Sequence, residues 1–239
     1  MGGRRPSADR TGAVFLSEEE SRHGVRVLRL QAGAVVTVVD GKGGWYQCEV
    51  TRPDARRCEL RVLNEQQDYG RRPYRIHVAI APTKNADRME WFVEKSVELG
   101  VDEISFPIGD HSERRVFKTD RLEKIAIGAM KQSRRALLPL MHGPESFSSF
   151  IGHPRTDQLF IAYVDENAPR DQRSRLSSVA EPKGSYCVLI GPEGDFSAPE
   201  IKAAVEAGFR PVSLGESRLR TETAGLVACH LLHVIHYTP

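Results

Sequence analysis

In the first 70 residues of the chain, short apolar runs are separated by polar turns, a pattern that predicts a helix followed by a small sheet. Residues 18–30 place Val25, Leu28 and Leu30 among basic side chains, which predicts a short helix with an apolar side and a basic side. Two apolar runs, AVVTVVD and WYQCEV, are separated by GKGG, a turn typical of a β-hairpin. A third strand, CELRVL, follows the polar turn RPDARR. We therefore expect a small β-rich domain with a helix packed against it.

From Tyr74 onward, apolar runs of strand length alternate with segments of helical periodicity. The strand runs are RIHVAIAP, VDEISFPI, QLFIAYV, YCVLIGP and PVSLG. The predicted helices are Met89–Leu99, Thr119–Leu138, Ser197–Ala207, which opens on a capping box, and Glu222–His236. Apolar strands that alternate with helices predict a mainly parallel sheet covered on both faces. The polar segment Asp68–Pro73 lies between the two patterns, so we expect one domain at residues 1–72 and another at residues 73–239.

The charge is distributed unevenly along the 239 residues, although the formal net charge is only +2. Residues 1–75 carry 14 basic and 10 acidic side chains, whereas the remainder carries 20 and 22. Of the basic residues 26 are Arg and 8 are Lys. Arginine binds phosphate through paired hydrogen bonds and stacks on bases, so this excess suits an RNA partner. Genomic base composition is the alternative explanation for the same excess.

Hydropathy and cysteine content indicate the compartment. No run of about 18 apolar residues occurs, so the sequence predicts no membrane-spanning helix. The cysteines, at positions 48, 58, 187 and 229, form no CxxC pair and have no histidine at zinc spacing. We therefore expect a reduced cytoplasmic protein that binds no metal.

Two loops follow the carboxyl ends of apolar strands, which is where open α/β sheets bind ligands. The first, Ile190–Ser197 (IGPEGDFS), has two glycines that permit close backbone approach, and a helix begins after it. An ordinary strand-to-helix turn explains the same glycines, and the loop matches neither the P-loop nor the dinucleotide fingerprint. The second, Leu214–Ala224 (LGESRLRTETA), places two arginines and a glutamate before an apolar helix. Helix capping by Thr221 and Glu222 explains part of this loop but leaves both arginines unexplained.

These two loops resemble the paired signature of a known family. GPEGDFSAPEI followed by LGESRLRTETA is similar to the signature of the RsmE-type 16S ribosomal RNA uridine-N3 methyltransferases, which belong to the SPOUT superfamily. RHGVRVLRL and the β segment after it resemble the family's PUA-like RNA-binding domain. DRMEWFVEKSVELGVDEISFP and AMKQSRRALLP resemble the family's two middle-domain stretches. The chain departs from the family at two places: Asp195 replaces a usual glycine, and Ser217-Arg218 replaces a more frequent Arg-Ile.

The resemblance implies a fold and a cofactor. The implied fold is α/β, a SPOUT-type parallel sheet with a C-terminal trefoil knot, preceded by a small β-rich PUA-like domain. The implied cofactor is S-adenosylmethionine, held by the two loops at a homodimer interface, with no metal. Matched by position, the cofactor-binding residues are Leu189, Ile190, Gly191, Pro192, Glu193, Gly194, Leu214, Gly215, Leu219, Arg220, Thr221 and Ala224.

The implied reaction is methyl transfer to N3 of a specific uridine in 16S ribosomal RNA of the small subunit. Because N3–H must lose its proton, we expect Arg220 to stabilise the developing uracil oxyanion and Glu222 to orient Arg220 or accept the proton. A salt bridge between these two residues that shapes the knot is the alternative. The residues expected to contact RNA are Arg22, His23, Arg26, Arg29, Lys84, Arg134 and Arg135.

Two other functions remain open at the level of the sequence. A noncatalytic RNA-binding or ribosome-assembly protein requires only the N-terminal domain and leaves the two loop signatures without a role. A different SPOUT enzyme would methylate a ribose 2′-oxygen or another RNA position. A Rossmann dehydrogenase or a P-loop hydrolase is disfavoured because the glycine pattern that each requires is absent.

Overall fold

The computed structural model describes residues 13–153, 156–163 and 173–237. They form two compact units. The first unit contains the residues up to Arg71 together with Ile127–Leu138, and the second contains Arg72–Ala126 together with the residues from Pro139 onward. These units differ from the predicted division at Arg72 and in the segment Ile127–Leu138.

The first unit contains an antiparallel sheet with the strand order β1-β4-β3-β2. The strands are β1 (Ala13–Phe15), β2 (Val35–Val39), β3 (Trp45–Arg52) and β4 (Glu59–Gln66). The predicted hairpin and third strand are therefore confirmed, whereas β1 is too short to show a pattern in the sequence. The core of this sheet buries Cys48 and Leu60 completely, and burial raises the pKa of the Cys48 thiol to about 11.

Helix α1 (Glu18–Arg26) is shorter than the predicted segment and packs through a different side. Its buried positions are Ser21 and Gly24, whereas Leu28 lies beyond the helix and is 54% exposed. The Ser21 hydroxyl donates to one backbone carbonyl and accepts a hydrogen bond from a backbone N–H near β4, so a small polar side chain anchors the helix. The prediction that α1 packs through an apolar side is therefore wrong. Arg29 also lies beyond the helix, with a left-handed φ of 54°.

Residues from later in the chain complete the first unit. Leu137 pairs with Lys42 in an antiparallel bridge, and the Gly43 N–H donates to the Ala136 carbonyl at 2.9 Å. These backbone contacts join the segment Ile127–Leu138 to the hairpin turn between β2 and β3. They explain why this segment groups with the residues up to Arg71, although Arg72–Ala126 separates the two in the sequence.

Helix α3 (Asp120–Gln132) ends well before the predicted Leu138. Arg134 has a φ of 55°, the left-handed conformation in which glycine usually ends a helix. The Arg135 N–H donates to the Met130 carbonyl at 2.9 Å and the Arg134 N–H to the Lys131 carbonyl at 3.1 Å, which is the pair of bonds of a Schellman cap. The arginine costs about 1 kcal/mol relative to glycine in this conformation.

The second unit contains a parallel sheet with the strand order β10-β8-β9-β5-β6-β7. Every neighbouring pair in it is parallel, as predicted. Strand β7, whose sequence is LMHGPES, is absent from the prediction because it has no continuous apolar run. The strands are β5 (Arg75–Ile80), β6 (Glu103–Ile108), β7 (Leu140–Ser146), β8 (Gln158–Ala162), β9 (Ser185–Ile190) and β10 (Arg210–Val212).

Helices cover both faces of this sheet. On one face, α7 packs against β5, β9 and α2, and a short α5 lies beside α7. On the other face, α4 and α6 pack against Ala79, Cys187 and Leu189. Alternate residues of β9 point to opposite faces, so both of its faces are buried. These helices are α2 (Ala86–Leu99), α4 (Phe147–Ile151), α5 (Leu176–Val179), α6 (Ala198–Glu206) and α7 (Thr221–Val234).

A polar network holds the C-terminal part of α7 at the amino ends of the strands. The Arg72 guanidinium donates to an Asp102 carboxylate oxygen at 2.8 Å and to His233 Nδ1 at 2.9 Å. The same Asp102 oxygen accepts the Ile76 N–H at 2.8 Å, so one carboxylate joins the strand to the network. Burial, with the Arg72 charge nearby, lowers the pKa of His236 below its usual range.

Replacing Gly225 of α7 with alanine is expected to lower the free energy of unfolding by about 1–3 kcal/mol. The new methyl carbon would lie 2.6 Å from Phe92 Cε2 of α2, so the two helices would have to separate. Gly128→Ala in α3 is the matched control because nothing lies within 4 Å of its added methyl carbon. This variant should gain about 0.5–1 kcal/mol from helix propensity. Urea denaturation measures both, and an equal gain in the two variants would contradict the close packing of α2 against α7.

Candidate functional site

A cleft of about 270 Å³ lies at the carboxyl edge of the parallel sheet. The last residues of three neighbouring strands line it: Ala162 of β8, Ile190 of β9 and Val212 of β10. Open α/β sheets bind ligands at this edge because the strands end there and the following loops carry unpaired backbone groups. The two loops identified in the sequence supply most of the remaining lining.

The first loop makes a tight turn that ends at Asp195. The Asp195 N–H donates to the Pro192 carbonyl at 3.0 Å, and the Asp195 backbone has a left-handed φ of 61°. Glycine adopts this conformation freely, so the glycine expected here from the resemblance would fit the turn without strain. Aspartate tolerates it better than most side chains, and Asp195 Oδ1 also accepts the Phe196 N–H at 2.7 Å. This hydrogen bond offsets part of the conformational cost.

A neighbouring loop after β6 supports the first loop. His111 Nδ1 forms a hydrogen bond with the Asp195 carbonyl at 2.9 Å. The buried Glu200 carboxylate accepts the Asp110 N–H at 2.9 Å through one oxygen and the Ser197 N–H at 2.7 Å through the other. Ser197 and Glu200 form the predicted capping box of α6. The Glu200 carboxylate therefore caps α6 at the end of the first loop and also binds the backbone of the loop after β6.

Ser213 and Gly215 shape the start of the second loop. The Gly215 N–H donates to Ser213 Oγ at 3.2 Å, and the Ser213 hydroxyl donates to the Gly215 carbonyl at 2.9 Å. Gly215 has a φ of 142°, so a side chain at this position would strain the backbone. Beyond this turn, Glu216, Ser217 and Arg218 line the cleft.

Most of the predicted cofactor-binding residues face this cleft. Those that line it are Ile190, Gly191, Pro192, Glu193, Leu214, Gly215, Leu219, Thr221 and Ala224. The other three, Leu189, Gly194 and Arg220, are sequence neighbours of lining residues but are not part of the lining. Leu189 is completely buried in the core beneath α4 and α6. A Cβ at Gly194 would lie 3.1 Å from His111 Cβ, so that glycine allows the loop after β6 to approach.

Sequence reasoning missed several residues of the cleft. Asp195, Glu216, Ser217 and Arg218 lie inside the two loops, so their position in the sequence was a usable signal. Ala162 and Val212 come from separate strand ends, which the strand order brings to the first loop. Arg173 comes from a segment outside the strands.

Arg220 and Glu222 do not pair with each other, so the salt bridge that was the alternative expectation is wrong. Glu222 is buried, and its Oε1 lies 3.7 Å from Arg88 Nε of α2. Its Oε2 has no hydrogen-bond partner among the described residues. Arg220 is the exposed N-cap residue of α7 and forms no ion pair within residues 13–153, 156–163 and 173–237.

The predicted RNA-binding residues fall in both units. In the first unit, Arg22, His23 and Arg26 line an open cleft of about 1070 Å³, whereas Arg29, Arg134 and Arg135 lie outside its lining. Arg22 also pairs with Glu18 at 2.7 Å on the helix surface.

Lys84 belongs to the second unit and lies beside the first loop of the candidate site. Its backbone N–H donates to Glu193 Oε1 at 3.2 Å. Its exposed ammonium group pairs with Glu113 at 2.8 Å, and this contact raises the pKa of Lys84.

The described part of the chain lacks two further classes of feature. No helix there combines the length and the apolar character needed to cross a bilayer. The same residues contain no group of three or more His, Cys, Asp or Glu side chains arranged to hold a metal ion.

Known proteins resemble this chain over nearly its whole length. Residues 70–233 match the RNA methyltransferase domain family, and residues 16–63 match the RNA methyltransferase PUA domain. Ribosomal RNA small subunit methyltransferase E of Aquifex aeolicus is 30% identical over 223 residues, which are 91% of this chain and 93% of that protein.

Two solved structures share the fold. A probable rRNA-methyltransferase from Porphyromonas gingivalis has a TM-score of 0.87 at 42% identity, over 99% of this chain and 98% of that one. Ribosomal RNA small subunit methyltransferase E from Neisseria gonorrhoeae, bound to S-adenosyl methionine, has a TM-score of 0.85 at 29% identity, over 98% of this chain and 96% of that one.

Two substitutions of Asp195 separate its backbone conformation from its hydrogen bond. Asp195→Gly loses the bond to the Phe196 N–H but relieves the φ of 61°, so its free energy of unfolding should stay within about 1 kcal/mol of the parent. Asp195→Ala loses the bond and keeps the strain, so it should be less stable by about 1–2 kcal/mol. Urea denaturation measures the difference, and equal stability of the two variants would show that the left-handed conformation is not maintained.

Proposed function

The chain belongs to the RNA methyltransferase family, and we propose that it transfers a methyl group from S-adenosylmethionine to N3 of a specific uridine in 16S ribosomal RNA of the small subunit. RsmE-type relatives that match most of the chain support the small-subunit substrate. The observation that carries the proposal is the cleft at the carboxyl edge of the sheet. Both loops that carry the RsmE-type signature line it.

The lining of the cleft suits S-adenosylmethionine. An adenine ring needs an apolar slot with accessible backbone groups, and Gly191 and Gly215 leave backbone uncovered beside apolar side chains. The amino-acid end of the cofactor carries both charges, and the rim offers both in Glu216 and Arg218. When bound, the cofactor supplies a methyl group already activated on a sulfonium. The apolar side chains that would hold the cofactor are Ile190, Val212, Leu214 and Leu219.

Because the methyl group is already activated, the protein's own contributions are alignment and removal of the N3 proton. We assign Arg220 to the uracil oxygen that gains negative charge. Its guanidinium is exposed and has no competing ion pair among the described residues. Arg220 directly precedes Thr221, which lines the cleft.

We assign Glu222 the role of proton acceptor. Its Oε2 has no hydrogen-bond donor within the described chain, so a lone pair is free to take a proton. Arg88 lies 3.7 Å from the other oxygen and limits how the carboxylate can turn. This assignment requires the first turn of α7 to shift when RNA binds, because Oε2 is covered in the structure.

The family relation also supports a homodimer with the two loops at its interface, a trefoil knot in the C-terminal part, and a cytoplasmic location beside the ribosomal substrate. Arg22, His23 and Arg26 are proposed RNA contacts of the first unit because they line one open cleft. The remaining proposed RNA contacts are Arg29, Lys84, Arg134 and Arg135.

Small ribosomal subunits from a bacterial strain that lacks this methyltransferase activity are expected to accept one labelled methyl group from S-adenosylmethionine. Subunits from the parent strain are the control and should accept none, because their target base is already methylated. Reverse transcription should stop at the modified base, since N3 methylation blocks pairing. The absence of transfer to unmodified subunits would overturn the proposed function, and modification of a ribose 2′-oxygen would overturn the N3 specificity.

Two substitutions test the proposed catalytic residues. Arg220→Ala should lower kcat by about 10²-fold through loss of oxyanion stabilisation, and Glu222→Gln should lower it by about 10²-fold because an amide cannot accept the proton. Calorimetry should show unchanged affinity for S-adenosylmethionine in both. Lys202→Ala on the exposed side of α6 is the control and should keep full activity. Full turnover in either test variant would remove that residue from catalysis.

A further inference from the structure

Three separate segments of the first unit meet at Gly43. The Gly43 N–H donates to the Ala136 carbonyl, and the Gly43 carbonyl accepts the Tyr69 N–H, both at 2.9 Å. Gly43 has a φ of 103°, and a Cβ there would lie 3.3 Å from the Asp68 Cα, so this meeting point requires glycine. The segments are residues 40–45, 67–71 and 134–138, which we call the Gly43 junction.

Two aromatic rings lie beside each other at the Gly43 junction. The ring centroids of Trp45 and Tyr69 are 5.8 Å apart, and the ring planes are inclined by 26°. Side chains alternate along β3, and because Tyr46 is buried in the core, Trp45 points to the opposite face. Both rings of the pair are half-buried. Both residues therefore keep part of their surface accessible to solvent.

The exposed charge at the Gly43 junction is mainly positive. Lys42, Arg71 and Arg134 are exposed, one from each segment. Asp68 is exposed and pairs with Arg71 at 2.7 Å. Asp40 is buried, and its carboxylate is occupied by two backbone N–H groups of the hairpin turn. Two exposed cations are therefore left without an acidic partner inside the junction.

Arg134 is a second, independent sign of function at this place. It caps α3 with a φ of 55°, although glycine would adopt the same conformation with less strain. Strained residues that persist in a fold are found preferentially where their side chains are used. The side chain of Arg134 is exposed, so packing does not explain the arginine.

We propose that the Gly43 junction binds a single-stranded segment of RNA. An unpaired base stacks on the Trp45–Tyr69 pair, and Lys42, Arg71 and Arg134 hold the flanking phosphates. Proteins recognise unpaired nucleotides with this combination of aromatic faces and cations, whereas a duplex keeps its base faces stacked inside. The inference rests on the proposed function, because that function makes ribosomal RNA the partner. It adds a base-stacking site to the cationic RNA contacts already proposed for the first unit.

Tryptophan fluorescence tests the stacking directly. The chain has two tryptophans, so Trp91→Phe leaves Trp45 as the single reporter. Single-stranded oligoadenylate should quench the emission of this variant, and a double-stranded RNA of equal length should quench it far less. Trp45→Phe, which leaves Trp91 on α2, is the matched control and should show little quenching. No quenching of Trp45, or equal quenching in the control, would overturn the proposal.

Arg134→Gly tests the cations without harming the fold, because glycine suits the φ of 55°. This variant should unfold at the same or a higher urea concentration than the parent. Its affinity for oligoadenylate should fall, and the slope of log affinity against log salt should decrease by about one, as expected for the loss of one phosphate contact. Arg134→Lys should restore the slope. An unchanged slope in Arg134→Gly would remove this residue from the site.

Trp45→Leu separates this proposal from the proposed function. The variant should bind oligoadenylate about tenfold more weakly and raise KM for small subunits, with kcat and S-adenosylmethionine affinity unchanged. If the parent methylates subunits and Trp45→Leu does so with the same KM, the RNA site at the junction is overturned and the proposed function stands. If the parent methylates nothing but Trp45 is quenched by oligoadenylate, the proposed function fails and the RNA site stands.

Discussion

The hydrogen bonds that hold β9 between β5 and β8 determine where the candidate cleft lies. From Tyr186 to Ile190 the strand is paired along both edges, so the chain leaves the sheet only at its carboxyl edge. The Ala81 N–H donates to the Ile190 carbonyl at 2.9 Å, so even the last residue of β9 is held. The first loop of the cleft therefore starts from a point with little freedom. The adjoining ends of β8 and β10 then supply further residues of its lining.

The loops that complete the cleft depend on backbone conformations that few residues adopt. Gly215 and Asp195 both have positive φ, and Asp195 is supported by its own side chain and by His111. Glu200 adds a constraint from a third direction because each of its carboxylate oxygens accepts a backbone N–H from a different loop. A site built in this way is preorganised by backbone hydrogen bonds, so its shape does not depend on its exposed side chains.

Much of the fold was predictable because long apolar runs and capping residues are local signals. The alternation of strands and helices after Tyr74 gave the parallel sheet, and the capping box of α6 was visible in four residues. The end of α3 was not predictable, because the residue that ends the helix in the left-handed conformation is Arg134 and not glycine, the usual sequence signal for a helix end. In the site, the two loops were found from their sequence, but the partner of Glu222 was not. Arg88 reaches it only because α2 and α7 pack together, and that contact depends on tertiary structure.

The pairing of Leu137 with Lys42 also has a consequence for synthesis of the chain. The first unit takes its last segment from beyond the start of the second, so its strands β1 to β4 are made well before the residues that complete it. During translation the Gly43 N–H and the Gly41 carbonyl remain hydrogen-bonded to water until Ala136 and Leu138 have emerged from the ribosome. By then β5, α2 and β6 have also been synthesised. A fragment cut at residue 72 would keep the four strands and their apolar core but would lack the residues that pair with the Gly43 turn.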